Sequence, residues 1–237
     1  MDKVPGYVSL IFILTTIATF GFIYFCIFKA QKKGNKQVSI ISGALIVIWL
    51  AVSGFLAQSG FYLVTDSVPP RLFLTLGPML ATIVVLVSVE RSRNFILNMP
   101  IATLTYLHIV RVPVEMVLWW MFLGGLVPEL MTFEGINYDI LSGVTAPFIA
   151  IFAVGVKKKR KTLAIIWNFI ALGLLFNIVG HAILSAPTPF QKFAFEMPNV
   201  GVLYFPFVWL PAFIVPAVLF SHIASLLKLF QGEDKLN

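Results

Sequence analysis

Three ionisable residues interrupt an apolar stretch that is long enough to cross a lipid bilayer. The stretch TYLHIVRVPVEMVLWW, residues 105–120, carries His108, Arg111 and Glu115. A histidine and a glutamate can exchange protons, and an arginine supplies a fixed positive charge. Their spacing places all three on one face of a helix. We expect this face to point at a polar site inside a bundle, because lipid offers these groups no hydrogen bonds.

The charged face of this helix is expected to compensate its own charge in part. Arg111 and Glu115 are four residues apart, so they can form an ion pair along the helix. Pro113 lies between them and lacks a backbone N–H, which leaves the carbonyl of Ile109 without its helical partner. The sequence therefore predicts a distortion of the helix beside the charged residues.

Polar residues in other apolar segments fall at a similar expected depth. Gln58 lies in the second segment, Asn177 and His181 share a face of the sixth, and Asp139 opens the fifth at the outer rim. We therefore predict a polar pocket in the outer half of the bundle, beneath the acidic loop PELMTFEGINYD. Structural bonding between helices is the alternative, because polar contacts in membranes often serve only that purpose. The candidate binding residues are His108, Arg111, Glu115, Gln58, Asn177, His181 and Asp139.

Composition places the chain among membrane proteins. Of its 237 residues, 59% are hydrophobic and 11% are charged, and the mean hydropathy is +0.95. Soluble domains carry about 25% charged residues. The apolar residues come in blocks of roughly the 20 residues that a helix needs to cross ~30 Å of hydrocarbon. The sequence predicts an all-α polytopic membrane protein.

Seven apolar blocks are expected to form seven transmembrane helices of a single domain, residues 1–237. Basic residues concentrate in KAQKKGNKQ, ERSRN, KKKRK and the region after the last block. Because cytoplasmic loops are enriched in lysine and arginine, this pattern predicts an outer N-terminus and a cytoplasmic C-terminus. It also accounts for the net charge of +7, so no nucleic-acid partner is expected. The blocks lie near residues 7–28, 38–63, 72–89, 99–125, 138–156, 162–184 and 201–228.

Several cofactor chemistries find little support in the sequence. Every lysine lies in a loop or at a helix end, so no retinal Schiff base is expected inside the bundle. The histidines lie in different blocks, without the close spacing of zinc ligands. Haem is not expected either, since His108 and His222 are the one candidate pair. His222 is at least as compatible with a solvated position near the inner end of its helix. The cofactor is left unassigned.

Two stretches of the chain resemble an uncharacterised family of bacterial integral membrane proteins. They are HIVRVPVE…VPELMTFEGINYDIL and AILSAPTPFQKFAFEMPN…LYFPFVWLPAFIVPAVLFSH. The resemblance covers most of the chain. It implies a protein of the bacterial cytoplasmic (inner) membrane and carries no assigned activity or functional residue.

The expected pocket favours a protein that binds or transports a small polar or anionic molecule, or a proton. Arg111 would supply the positive charge and Glu115 the group that responds to protonation. An intramembrane enzyme acting on a lipid-soluble substrate is an alternative, with His108 or Glu115 as acid–base group. No obvious nucleophile accompanies them, which disfavours an enzyme. A receptor-like sensor and a structural subunit of a membrane complex also stay open, with no protein partner assigned beyond the lipid bilayer.

Overall fold

The computed structural model describes residues 4–31, 36–155 and 160–231, and all regular structure within these ranges is helical. The expected all-α fold is therefore confirmed. Short 3-10 turns and irregular segments connect the helices. The helices of the described ranges are α1 (Gly6–Ala30), α2 (Gln37–Gln58), α3 (Phe73–Ser88), α4 (Glu90–Ile96), α5 (Ile101–Leu123), α6 (Ile140–Val154), α7 (Lys161–Ser185) and α8 (Leu210–Gln231).

The helices differ in whether they can cross a membrane alone. Among the described residues, five helices are long and apolar enough, namely α1, α2, α5, α7 and α8. Helices α3 and α4 together would make a sixth span, although they meet at a bend of 93°. Helix α6 extends about 22 Å at ~1.5 Å per residue, less than the ~30 Å of a hydrocarbon core. The chain is a membrane protein with five or six candidate spans by helix length and composition.

Two helices are shorter than the apolar blocks that predicted them. The second block was expected to run to residue 63, but α2 ends at Gln58. Gly60 then takes a left-handed conformation with φ of 76°, and a 3-10 turn follows over Phe61–Leu63. The last block, expected from residue 201, starts with a 3-10 turn over Gly201–Leu203 and becomes continuous helix only at Leu210. An apolar pattern marks residues that avoid water, and it does not locate the first helical hydrogen bond.

The start of α8 is irregular because of its prolines. Pro211 lies in a π-helical turn over Leu210–Ile214, and regular α-helix follows from Val215. Pro216 has no N–H to donate to the carbonyl of Ala212. The indole N–H of Trp49 on α2 donates to that carbonyl instead, at 2.8 Å. A side chain from a neighbouring helix thus satisfies the carbonyl that the proline leaves free.

Helices α5 and α8 lie at the centre of the bundle. In their most apolar windows, 61% of α5 and 56% of α8 is buried, against 33% for α1, 22% for α2 and 33% for α7. The three ionisable residues of α5 are buried as well, since His108, Arg111 and Glu115 are 0%, 2% and 1% exposed. The charged face of α5 points into the bundle, as its sequence predicts.

Two side-chain contacts mark the two ends of the bundle. At one end, the rings of Tyr7 on α1 and Trp120 on α5 pack edge to face, with centroids 5.3 Å apart. We call this end the outer face. At the other end, the ammonium of Lys228 on α8 donates to the carbonyl of Met99 just before α5, at 2.5 Å. We call that end the inner face.

Helix α6 begins inside the bundle and not at its outer face. Its first turn lies beside Arg111, which is about 18 Å below the outer end of α5 at ~1.5 Å per residue. Gly143 on α6 permits the close approach of the two helices. A Cβ atom at this glycine would lie 2.8 Å from Cγ2 and 3.0 Å from the backbone nitrogen of Val112. The outer loop, residues 124–139, must therefore bend down into the bundle before α6 can start.

Candidate functional site

Arg111 lies at the centre of a buried group of polar side chains. Its guanidinium forms a bidentate ion pair with Asp139, with Nε and Oδ2 2.7 Å apart and Nη2 and Oδ1 2.5 Å apart. Nη2 also donates to the carbonyl of Ala171 at 3.0 Å, and Nη1 lies 3.4 Å from Nε2 of His222. The prediction that Arg111 pairs with Glu115 is therefore wrong, because Asp139 takes that position. Each guanidinium nitrogen has a protein partner, so the group is held by the fold.

The outer loop supplies the other side of this arrangement. Asn137 is fully buried, and its Nδ2 donates to Oε2 of Glu115 at 2.6 Å and to the carbonyl of Met131 at 3.0 Å. Its Oδ1 accepts from the backbone N–H of Asp139 at 3.0 Å. Asp139 was expected at the outer rim of its helix, but it is 5% exposed and lies inside the bundle beside Arg111. The inward bend of the loop at Asn137 causes this difference.

His222 continues the arrangement on the inner side of Arg111. Nδ2 of Asn168 donates to the carbonyl of Ala164 at 2.8 Å, which turns Oδ1 of Asn168 towards Nδ1 of His222, also at 2.8 Å. Because an amide oxygen only accepts, His222 donates from Nδ1, and its Nε2 is free to accept from Arg111. His222 is 0% exposed, so the alternative of a solvated residue at a helix end is wrong.

His108 joins the group through ring packing. Its ring lies on the ring of His222, with centroids 4.0 Å apart and an angle of 35° between the planes. The ring of Trp167 packs edge-on against it, with centroids 5.2 Å apart. Within the part of the chain that the structure describes, neither nitrogen of His108 has a hydrogen-bond partner. We refer to this whole group as the polar cluster, whose members are Glu115, Asn137, Asp139, Arg111, His222, Asn168 and His108.

The remaining predicted site residues lie outside the polar cluster. Gln58 is exposed at the end of α2. Nδ2 of Asn177 donates to the carbonyl of Ile136 at 3.1 Å, and Nδ1 of His181 lies 2.8 Å from the carbonyl of Asn177. The first contact ties α7 to the outer loop, and the second lies within α7. The fold thus brings together His108, Arg111, Glu115 and Asp139, and it leaves Gln58, Asn177 and His181 apart.

Three members of the polar cluster were not among the predicted site residues. Asn168 interrupts the apolar stretch LAIIWNFIAL of α7, and a lone amide inside a membrane helix is a signal that it needs a partner. His222 carried a similar signal, but its expected place near the inner end of its helix was at least as compatible with a solvated position. Asn137 lies in a loop of mixed composition, and nothing in the sequence indicates that it turns inward.

A cavity of about 80 Å³ adjoins the outer side of the polar cluster. Glu115, Asp139 and Asn199 contribute polar groups to its wall, and apolar side chains from α3, α5, α7 and α8 make most of the rest. Asn199 is 0% exposed, and its Oδ1 has no hydrogen-bond partner among the described residues. A buried acceptor without a partner is costly, so this atom marks a place where a ligand or water can bind.

Metal or haem ligation would need a different arrangement of these side chains. In residues 4–31, 36–155 and 160–231, no group of three or more histidine, cysteine, aspartate and glutamate residues could hold a metal ion. The rings of His108 and His222 pack on each other, with centroids 4.0 Å apart. Cys26 is buried in α1 as a free thiol. The chemistry that the cluster supports is hydrogen bonding, charge compensation and proton binding.

Comparison with known families gives a match over the part of the chain that forms the cluster. A domain of unknown function (DUF8737) matches residues 69–230, which contain every member of the polar cluster and the residues that line the cavity. No curated protein and no solved structure matches the chain. The expected resemblance to an uncharacterised family is confirmed to that extent. Since the match covers most of its length, the chain belongs to the DUF8737 family.

Proposed function

We propose that the protein binds and transports a small polar solute or a proton at the outer edge of the polar cluster. The observation that carries the proposal is the cavity beside Glu115 and Asp139. Ionisable residues inside a membrane bundle are costly and usually belong to solute or proton pathways. A carboxylate on the wall of a cavity can take up a proton or a ligand without a rearrangement of the fold.

The charges of the cluster favour Glu115 as the residue that takes up the proton or the ligand. Arg111 and Asp139 compensate each other in their bidentate pair. Among the described residues, the hydrogen-bond partner of the Glu115 carboxylate is neutral, the amide of Asn137. When Glu115 is ionised, the three charges sum to −1, and a proton or a bound cation restores neutrality. An anionic solute is less favoured, because the guanidinium of Arg111 is already occupied by the protein.

Structural bonding alone explains only part of the cluster. It accounts for Arg111, Asp139 and His222, whose polar atoms bind one another. It does not account for a cavity on the outer side of the cluster. Nor does it account for Asn199, which lines that cavity and whose Oδ1 has no partner in the described part of the chain. Fully satisfied polar networks stabilise a fold, whereas unsatisfied groups beside a cavity are typical of binding sites.

The proposal includes seven spans in a bacterial cytoplasmic membrane, with the inner face in the cytoplasm. Helix α6 would serve as a span whose missing outer part is replaced by the outer loop. Irregular chain at membrane depth is tolerated where protein covers it, and such interrupted helices line transport sites. The described basic residues near helix ends support this orientation, namely Lys29, Lys36, Arg91, Arg93, Arg160, Lys161 and Lys228. Lys32, Lys33, residues 157–159 and Lys235 lie outside the described residues.

Native mass spectrometry combined with a flux assay tests the proposal. The wild type, Glu115→Gln and the control Glu134→Gln, whose glutamate is exposed in the outer loop, would be released gently from detergent and weighed. The same proteins in liposomes would be followed with a pH-sensitive dye under an imposed potential. We expect an adduct or a proton flux in the wild type and the control that is lost in Glu115→Gln. Equal masses and equal fluxes in all three proteins would contradict the proposal.

A further inference from the structure

We infer that the solute is an amphiphilic cation with a hydrogen-bond-donating head, which reaches the cavity from the lipid between α3 and α7. A protonated primary alkylamine is the simplest member of this class. The inference rests on the proposed function and names its solute.

The polar groups on the cavity wall are acceptors. Glu115 and Asp139 line the cavity and carry carboxylate oxygens. Asn199 also lines it, with an Oδ1 that has no partner among the described residues and an Nδ2 that donates to the carbonyl of Ala182 at 3.2 Å. Thr75 also lines the cavity. Its hydroxyl donates to the carbonyl of Leu72 at 2.6 Å, which leaves the oxygen lone pairs to accept from a ligand. An ammonium head has three donors and no acceptor, so it complements this wall.

Charge points to the same class of solute. With Glu115 ionised, the cavity adjoins a net charge of −1, because Asp139 is already paired with Arg111. A cation neutralises the site, whereas an anion would add a second uncompensated charge in a region of low dielectric. The guanidinium of Arg111 is held by Asp139, Ala171 and His222, so it is not available to an anion.

The position of the cavity indicates access from the lipid. Half-buried side chains of α3 and α7 form its lateral wall, including Leu76 and Val179. Helix α3 packs against α8 but makes few contacts with α7, which leaves a seam between α3 and α7. Above the seam, Phe73 stacks on Phe190 with centroids 5.8 Å apart and covers its outer end. An amphiphile in the outer half of the bilayer can reach this seam sideways.

The size of the cavity fits a head group and not a whole amphiphile. Its volume of about 80 Å³ compares with roughly 30 Å³ for each water molecule in the liquid. Drug-sized ligands occupy pockets of about 300–1,000 Å³. The ammonium and its first methylene groups would fill the cavity, and the alkyl tail would lie in the seam against Leu76 and Val179.

Proton and amine compete for Glu115 in this arrangement. Among the described residues that line the cavity, Glu115 and Asp139 are the titratable ones. Arg111 faces both of them from α5, and His222 and His108 lie beyond Arg111. Asp139 is engaged by Arg111, so Glu115 is the group that can take a proton from the solvent or a cation from the lipid. Each ligand neutralises the site and excludes the other, which allows exchange of one for the other across the membrane.

The test compares hexylammonium chloride, hexyltrimethylammonium chloride and sodium hexanoate as probes of the full-length protein in detergent. Binding is followed as the shift in unfolding temperature, monitored by tryptophan fluorescence. The variants are Glu115→Gln, the control Glu134→Gln, and Leu76→Phe, which fills the seam without changing a polar group. Proton flux in liposomes is measured on the same variants.

Hexylammonium should raise the unfolding temperature of the wild type and of Glu134→Gln, more than the trimethyl cation does, and hexanoate should not. Its apparent affinity should fall by about tenfold or more in Glu115→Gln, because a charge-assisted hydrogen bond is lost. It should also fall in Leu76→Phe and as the pH is lowered.

Two results would overturn the inference. Equal shifts by hexanoate and hexylammonium would show that the probes act as detergents, and an unchanged hexylammonium shift in Glu115→Gln would place the amine elsewhere. Either result together with a Glu115-dependent proton flux would leave the proposed function standing. A flux that does not depend on Glu115, combined with a missing hexylammonium shift, would remove the inference and the proposed function together.

Discussion

The two sides of the polar cluster are built in opposite ways. On the inner side, Arg111 is held by Asp139 and His222. On the outer side, Glu115 has one amide partner and borders a cavity, and the Oδ1 of Asn199 nearby has none among the described residues. The buried arginine therefore has a structural role. The carboxylate beside the cavity is the residue free to act.

Removal of Arg111 should have the largest effect on stability. Arg111→Met leaves Asp139 buried without its counter-charge, and the loss of one partner of a buried pair costs about 3–5 kcal/mol. That is well above the ~0.6 kcal/mol average for polar contacts between membrane helices. Asp139→Leu in the same chain should recover most of the loss. Reversible unfolding in mixed micelles measures the stability of both proteins. An Arg111→Met protein as stable as the wild type would contradict the structural role of Arg111.

The close packing of α6 on α5 is the next most sensitive feature. Gly143→Ala places a Cβ atom 2.8 Å from Cγ2 of Val112, so α6 must move away from Arg111. Overpacking of this kind costs about 1–3 kcal/mol. Gly173→Ala on α7 is the matched control, because no atom lies within 4 Å of the added carbon. The unfolding free energies should separate the two variants, and equal values would mean that α6 tolerates the displacement.

The two stacked histidines should respond differently to the same substitution. His222→Phe keeps the ring but removes the acceptor for Arg111 and the donor for Asn168. Leaving such buried groups unsatisfied costs about 1–3 kcal/mol. His108→Phe keeps the stacking of its ring and removes nitrogens that have no partner in the described ranges, so it should be neutral or stabilising. A greater loss in His108→Phe would show that its nitrogens bind something inside the bundle.

Glu115→Gln should have a smaller effect on stability than Arg111→Met, Gly143→Ala or His222→Phe. The glutamine oxygen can still accept from Nδ2 of Asn137, which donates to Oε2 of Glu115 at 2.6 Å. The change also removes one uncompensated charge from the bundle. We expect a loss below about 1 kcal/mol, the net value of an ordinary hydrogen bond. A loss of stability as large as that of Arg111→Met would show that Glu115 has a structural role like that of Arg111.

The sequence predicts the polar face of α5 and its inward orientation, because three ionisable residues at helical spacing have one acceptable environment in a membrane. It also includes Asp139 among the site residues. It does not predict that Asp139 replaces Glu115 as the partner of Arg111. Apolar blocks give the approximate lengths of helices, but not the vertical offset between α5 and α6.

The members of the cluster that were missed depend on contacts across long stretches of chain. His222 reaches Arg111 from α8, and Asn168 reaches His222 from α7. No local pattern reports such pairings. The sequence also groups residues that lie apart in the fold, namely Gln58, Asn177 and His181. A similar expected depth in the membrane does not place residues on helix faces that point at each other.

The most direct test of this division of roles is to measure stability and proton flux on the same preparations of Glu115→Gln and of the control Glu134→Gln. Unfolding in mixed micelles gives the stability, and a pH-sensitive dye in liposomes under an imposed potential gives the flux. We predict that Glu115→Gln unfolds like the control and has lost its flux. A Glu115→Gln protein that unfolds like the control and carries protons like the control would contradict the account, because Glu115 would then have neither role.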